Sequence, residues 1–406
     1  MSAVAEPYRR GKRGWTFRMT PLRIALLAIV GLTAGLVAYR LLFGLGVVTN
    51  LTDRWPWALW TWWKLTGVAL AGAGYSTALV VYFVGRERWR RVERGAFLVS
   101  LLGYLMVATA LLLDLGQWYN AWRPVFFWGY HSVMFELFWC IGGYTVVQLV
   151  EFVYIFEERV RLPRLRKVLT RIYAPLLIVG GLLPVFHQSA LGSLYVIAKG
   201  RMDPLWWSML IPVFFVLSSF FVGPAVVVIE EYLSTRTYAR RPRLPILGEM
   251  VRVASFGMLL YLGLKIADYA WRGVLPELFD GSALANLGLA ELLLGVLLPA
   301  VMFLLPAVRR SPGWLLTASG IAVAGVVVNR FDFVIVAMWG SIGVSYTPYW
   351  MEVAFVLGLG AAVALGYLFV TENFAILPEE EPPARVAISR EPERKRATAG
   401  VYGRGG

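Results

Sequence analysis

Apolar residues run along this 406-residue chain in blocks of about 20 to 25, divided by short polar connections. Each block is long enough to cross the roughly 30 Å hydrocarbon core of a bilayer as a helix. Ten spans are predicted, at roughly 22–46, 58–84, 95–117, 125–157, 172–198, 205–232, 250–272, 285–307, 314–338 and 349–374. The fourth is longer than a bilayer requires, which predicts tilt or protrusion. The pattern describes an all-α polytopic membrane protein. After about residue 375 the chain turns Pro-, Gly- and charge-rich, as expected of a flexible tail or one that docks on a partner.

Composition agrees with the pattern. Hydrophobic residues make up 58% of the chain and charged residues only 16%, against about 25% charged in an average soluble domain. That excludes a soluble enzyme, a secreted disulfide scaffold and a disordered chain. The net charge of +14 would point to nucleic acid in a soluble protein. Here its distribution points to topology and to no nucleic-acid partner. Arg9, Arg10, Lys12, Arg13 and Arg18 precede the first span, and Arg86, Arg88, Arg90, Arg91 and Arg94 follow the second. Arg159, Arg161, Arg164, Arg166, Lys167 and Arg171, then Arg236, Arg240, Arg241 and Arg243, then Arg309 and Arg310 continue the same side. The other side has Arg54, Arg123, Lys199, Arg201 and Arg272. By the positive-inside rule both termini are cytoplasmic, and the chain is expected in the inner (cytoplasmic) membrane. The basic start runs into a full-length span with no small-residue cleavage site and reads as a signal anchor.

Tryptophans show the opposite bias. Trp55, Trp57, Trp60, Trp62, Trp63, Trp118, Trp122, Trp128, Trp206, Trp207 and Trp350 fall near the outer boundary. They describe an interfacial aromatic belt, an outer docking face for another subunit, or both.

Cysteine and histidine counts limit the chemistry. The lone Cys140 makes no intramolecular disulfide or iron–sulfur cluster and reads as a small buried hydrophobe. Two histidines, His131 and His187, exclude a four-His, two-haem cytochrome by count but not a single bis-His haem. Their expected depths differ by about 7 Å, which disfavours one iron holding both. Walker A, HExxH and Rossmann patterns do not occur.

Ionisable groups at membrane depth are expensive and mark candidate sites. The first half of the chain holds Lys64, Asp114, Glu136, Glu151 and His187. The predicted spans bring Asp114, Glu136 and His187 into the outer half of the bilayer. Pro184, three residues before His187, leaves a carbonyl near Gly180 free and predicts a kink with room for a ligand. Glu136 and Glu151 lie fifteen residues apart, within roughly 60° of one helix face and about 22 Å along its axis. With Tyr144 and Gln148 they form a candidate proton path, unless neighbouring helices satisfy each group separately. The second half holds Lys265, Asp268, Glu291, Arg330, Asp332 and Glu352. Asp114 to Glu136 and Asp268 to Glu291 are nearly equal separations, and WPWALWTWWK weakly parallels DPLWWSML. These parallels predict two successive four-helix bundles with flanking N- and C-terminal helices. The expected divisions are a basic cytoplasmic start at 1–21, an anchor helix at 22–46, bundles at 55–200 and 201–340, a last helix at 341–375 and a tail at 376–406. Because the second bundle supplies its own cations, Lys265, Asp268, Glu291, Arg330 and Asp332 are expected to be structural ion pairs.

The stretch FHQSALGSLYVIAKGRMDPLWWSMLIPVFF at 186–215 resembles the NrfD/PsrC (polysulfide reductase) family of integral membrane subunits. Its spacing from Glu136 and Glu151, and YTPYWMEVAFVLG at 346–358, resemble the HybB-like branch, named for the quinone-reactive subunit of a nickel–iron hydrogenase. The resemblance covers about residues 55 to 375. It implies a quinone site (menaquinone or ubiquinone) near the outer face, with no haem or iron–sulfur cluster in the chain. It also implies a periplasmic iron–sulfur partner serving a hydrogenase or other catalytic subunit. Carried over, His187 and Glu136 would face the quinone, Asp114 and Tyr104 would line the site or its proton path, and Glu151 would lie on the cytoplasmic leg. The chain would then be a subunit of an oxidoreductase, not catalytic alone. The other class of reading is a secondary transporter using the same buried charges, although its repeats would run parallel where many transporters invert theirs.

Overall fold

A computed structural model describes residues 14–377 apart from 83, 239, 340 and 343–345. Arg9, Arg10, Lys12, Arg13 and the tail beyond 377 lie outside the described residues. Among the described residues, ten helices are long and apolar enough to cross a membrane: α1 (Pro21–Phe43), α2 (Leu59–Tyr82), α3 (Glu87–Asp114), α4 (Val133–Val160), α5 (Pro163–Val196), α6 (Ile211–Thr237), α7 (Leu244–Arg272), α8 (Ala283–Leu304), α9 (Pro312–Trp339) and α10 (Trp350–Asn373). The protein is therefore all-helical and multi-pass, as its apolar blocks predict.

The ends of the helices follow local chemistry. Thr20 caps α1 by accepting from the Arg23 N–H, Pro21 opens it, and Gly44 closes it at φ +93°. The fourth span begins at Val133 and not near 125. Pro124 opens a short separate helix, Arg123–Phe126, and Ser132 then caps α4 through the Phe135 N–H. The aromatic run around Phe126–Tyr130 is thus a connection, apolar enough to read as membrane but not part of the span. α5 is continuous through Pro175 and Pro184. α8 and α9 each contain a π-helical stretch, Glu291–Leu297 and Asp332–Val336, and each begins on an acidic residue. Such turns are rare and collect at functional positions.

Helices α2 to α5 pack side by side in a ring, and α6 to α9 do the same. The rings meet where α2 and α5 lie against α6, while α1 and α10 pack together beside α2 and α3. Glycine sets the closest approaches. A Cβ on Gly72 would lie 2.5 Å from the Ser219 carbonyl, and one on Gly325 would lie 2.4 Å from the Gly295 carbonyl. No side chain fits at either place, so α2 meets α6, and α8 meets α9, backbone to backbone.

Polar ties hold the flanking pair. Arg23 on α1 pairs with Glu372 on α10 at 2.5 Å, both buried. Arg40, fully buried, donates through Nε to the Leu113 carbonyl at 2.8 Å and through its terminal nitrogen to the Leu115 carbonyl, satisfying acceptors at the end of α3. Glu352 accepts the Leu59 N–H at 2.8 Å and the Tyr346 hydroxyl, fastening α10 to the start of α2. Burial and the nearby Glu352 carboxylate push the Tyr346 phenol above its ordinary pKa.

The sequence distinguishes an arginine-rich end of the barrel of helices from a tryptophan-rich end. At the latter, Trp55, Trp60 and Trp206 are buried, whereas Trp122, Trp128 and Trp350 are exposed. The tryptophans are divided between interior packing and an outward-facing belt.

Candidate functional site

A cavity of about 740 Å³ opens among α2, α3, α4 and α5 at the tryptophan-rich end. Most of its wall is aliphatic, including Leu65, Val107, Ile141 and Leu191. Three helices contribute polar groups, and Gln117, Asn120, Arg123 and Ser132 from the connection between α3 and α4 add more. α5 contributes His187 and Tyr195, with Leu191 and Leu194 on the same stripe at helical spacing. α2 contributes Thr61 and Lys64, and α3 contributes Asp114. A large apolar chamber with a few convergent polar groups is the usual form of a small-molecule site.

His187 is fully buried. Its Nδ1 lies 3.3 Å from the Tyr104 hydroxyl, and its Nε2 has no partner. The Tyr195 hydroxyl is also buried without a partner. Unmet polar groups are costly in such a place. A ligand with a hydrogen-bonding head and an apolar body would satisfy both groups. At the mouth, Asp114 forms an ion pair with Lys64 and accepts from Trp60 Nε1 at 2.7 Å.

A second cavity of about 510 Å³ lies in the same ring toward the arginine-rich end. Tyr75, Tyr82, Glu93, Arg94, Tyr144, Glu151 and Tyr173 line it, with Gly180 and Gly181 on α5. Gly180 carries the carbonyl that Pro184 leaves without its helical donor. A polar row joins the cavities. His187 contacts Tyr104, and the ring of Tyr104 meets Tyr144 edge-on at 4.4 Å. The Tyr144 hydroxyl lies 3.3 Å from Ser100 Oγ, which accepts from Gln148 Nε2 at 2.7 Å.

The structure brings some of the expected residues together and separates others. His187 and Asp114 share the upper cavity. Tyr104 is fully buried behind His187 and positions it rather than lining the wall. Tyr144 and Glu151 line the lower cavity, and Gln148 joins them through Ser100. Glu136 belongs to neither group. Because α4 starts at Val133, Glu136 falls in its first turn, exposed, where the helix dipole favours a carboxylate. Neither the quinone-facing position nor the proton-path position expected of it is where the structure places it. Ser100, Glu93 and Tyr195 join these groups without standing out in the sequence. A serine inside an apolar run and an acid beside an arginine flank carry little signal in sequence.

The expected ion pairs of the second ring also need correction. Asp268 pairs with Arg272 at 2.9 Å, one turn away, and not with Lys265. Glu291 is held by Trp206 Nε1 at 3.1 Å and Asn329 Nδ2 at 2.7 Å. Arg330 donates to Asn329 and, at 2.6 Å, to Ser218, and lies 3.9 Å from the centre of the Phe215 ring. Lys265 Nζ and one oxygen of Asp332 are buried with no hydrogen-bond partner. Neutral donors and aromatic faces have taken the place of counter-ions.

The family model described as "Polysulphide reductase, NrfD" matches residues 47–339. The chain belongs to the NrfD family. The match spans both rings of helices. A Nitratidesulfovibrio vulgaris relative, named only "Protein", is 31% identical over 89% of this chain and 95% of its own length. The probable Ni/Fe-hydrogenase 2 b-type cytochrome subunit of Escherichia coli is 30% identical over 84% of this chain and 89% of its own. The integral membrane subunit of menaquinone reductase from N. vulgaris is 27% identical over 84% and 88%. This NrfD-family chain is thus related to membrane subunits of redox complexes, as its histidine motif implies.

One expectation is overturned here. The chain is expected to carry no haem, yet the E. coli relative is named a b-type cytochrome subunit, and the expectation does not stand. Of the two imidazoles available, His187 is buried with a bare Nε2, while His131 is exposed in the turn before α4. The residues offer one buried imidazole nitrogen and not a facing pair.

Proposed function

We propose that this NrfD-family chain is the quinone-reactive membrane subunit of a respiratory oxidoreductase complex. It would lie in the inner membrane with both termini cytoplasmic and its tryptophan-rich end outward. The observation that carries the reading is the upper cavity, a large apolar chamber lined by His187 and Tyr195, whose Nε2 and hydroxyl are buried and unpartnered. A bound quinone supplies a two-electron acceptor that takes up two protons on reduction. The chain's own residues then have distinct tasks. The aliphatic wall receives the ring and the start of the tail. His187 holds or gives a proton at Nε2, and Tyr104 fixes the ring through Nδ1. The Lys64–Asp114 pair sets the charge at the mouth.

Proton supply would come from the arginine-rich side. Glu151 and Glu93 in the lower cavity would exchange with cytoplasmic water, and Tyr144, Ser100 and Gln148 would carry protons upward to Tyr104 and His187. Electrons would come from or go to a periplasmic iron–sulfur subunit that docks beside the upper cavity and serves a hydrogenase or another catalytic subunit. The exposed aromatic surface of Trp122, Phe126, Phe127 and Trp128 suits such a partner or the lipid interface.

The test is His187→Gln in the purified complex. Quinone-linked turnover should collapse while dye-linked activity of the catalytic partner persists. Normal quinone turnover in this variant would remove the site assignment.

A further inference from the structure

The second ring contains a buried polar cluster that the quinone reading does not use. Lys265, Glu291 and Asp332 come from three different helices. Each lies seven or eight residues from the tryptophan-rich end of its helix, about 11 Å below that end. All three are at least nine-tenths buried. Asp332 and Glu291 lie near enough to interact electrostatically, and so do Lys265 and Glu291. Two observations set this apart from a merely structural polar core. Lys265 Nζ and Asp332 Oδ2 are left without a hydrogen-bond partner inside it. Both acids also open π-helical stretches, where the backbone has been widened at the positions that carry them.

Two neighbouring carboxyl groups in a low-dielectric interior cannot both be charged at modest cost. One proton between them leaves a single negative charge opposite one ammonium. Titratable groups near the pair are Tyr261, Lys265, Asp268 and Tyr269 on α7, Arg330 on α9, and Arg272 beyond Asp268. Asp268 sits one turn above Lys265 and is tied to Arg272, whose guanidinium reaches the exposed Pro204 carbonyl. That is a polar exit toward the tryptophan-rich end. On the opposite flank, Glu291 connects through Asn329 and Arg330 to Ser218. The adjacent Ser219 bonds at 2.6 Å to the Tyr75 hydroxyl of α2, and Tyr75 lines the lower cavity.

We propose that Glu291 and Asp332, with Lys265, form a proton-loading site in the second ring, reached from the lower cavity past Tyr75 and Ser219 and open to the other side past Asp268. Loading adds one proton to the carboxyl pair and unloading removes it, with no electron involved. The site is chemically separate from the upper cavity and does not depend on what that cavity binds.

The experiment is infrared difference spectroscopy of the purified full complex, titrated through pH in H2O and in D2O, with no quinone turnover. The expected result is a buried carboxyl C=O band that follows pH and shifts in D2O. Glu291→Gln and Asp332→Asn should each remove the band, and Glu151→Gln should leave it. Lys265→Met keeps both carboxyls, so it should keep the band and move its midpoint. A spectrum unchanged by all three second-ring variants would overturn the proposal. So would a band that follows sodium at constant pH, since the site would then take a metal cation.

Discussion

The two rings of helices are built from the same number of spans, yet they treat buried polarity in opposite ways. The ring of α2–α5 leaves space. Its polar groups stand around two cavities, and its ion pairs, Lys64–Asp114 and Arg94–Glu158, lie toward the ends. The ring of α6–α9 holds its polar groups against neighbouring side chains. There an arginine rests on a phenylalanine face and a carboxylate is held by an indole and an amide. Space admits a ligand as large as a ring with a tail. Buried groups already bonded to protein donors can still exchange a proton. The proposal of ligand chemistry in the first ring therefore rests on volume, not on charge count.

The sharpest way to break this contrast is to remove the imidazole. His187→Leu should lower quinone-linked turnover by about 100-fold or more, the usual scale for a lost acid–base group, in a steady-state assay with a soluble quinone. An equal loss from Lys265→Met would erase the distinction between the rings. Next comes packing. Gly325→Val pushes a side chain into the Gly295 backbone and should destabilise the second ring by roughly 1–3 kcal/mol, read as a lower melting temperature of the detergent-solubilised subunit. Gly142, which has open space around it, should tolerate the same change. Asn329→Leu leaves one Glu291 oxygen without its donor and should cost about 1–3 kcal/mol by the same measurement. Smallest is Glu151→Gln on the lower cavity. It should slow proton-limited turnover by less than about tenfold, because Glu93 lines the same cavity, and the double substitution should exceed the sum of the two.

The sequence made the spans legible because crossing a bilayer demands long apolar runs, and little else in a protein produces ten of them. It misplaced the start of α4 because Phe126, Phe127 and Trp128 are as apolar as a span while serving as a surface connection. Glu136 was carried inward with that error. His187 was legible through its neighbours in sequence. Its supporting groups were only partly so: Tyr104 and Tyr144 are visible as polar atoms at depth, but Ser100 matters only because Gln148 and Tyr144 both reach it. The ion pairs expected in the second ring failed for a general reason. Sequence gives the charges on each helix but not whether the facing helix presents a charge, a hydroxyl or a ring.

The π-helical stretches of α8 and α9 also act as phase shifters. A turn that spends an extra residue rotates everything beyond it by about 100° relative to an unbroken α-helix. Gly295 lies within one such stretch, and the approach to Gly325 depends on where that rotation leaves it. Straightening Glu291–Leu297 into α-helix with every residue kept would turn one end of the helix against the other by that angle. The acid and the glycine would then no longer address the same neighbour. For these two helices, residue count between fixed points is as much a part of the design as residue identity.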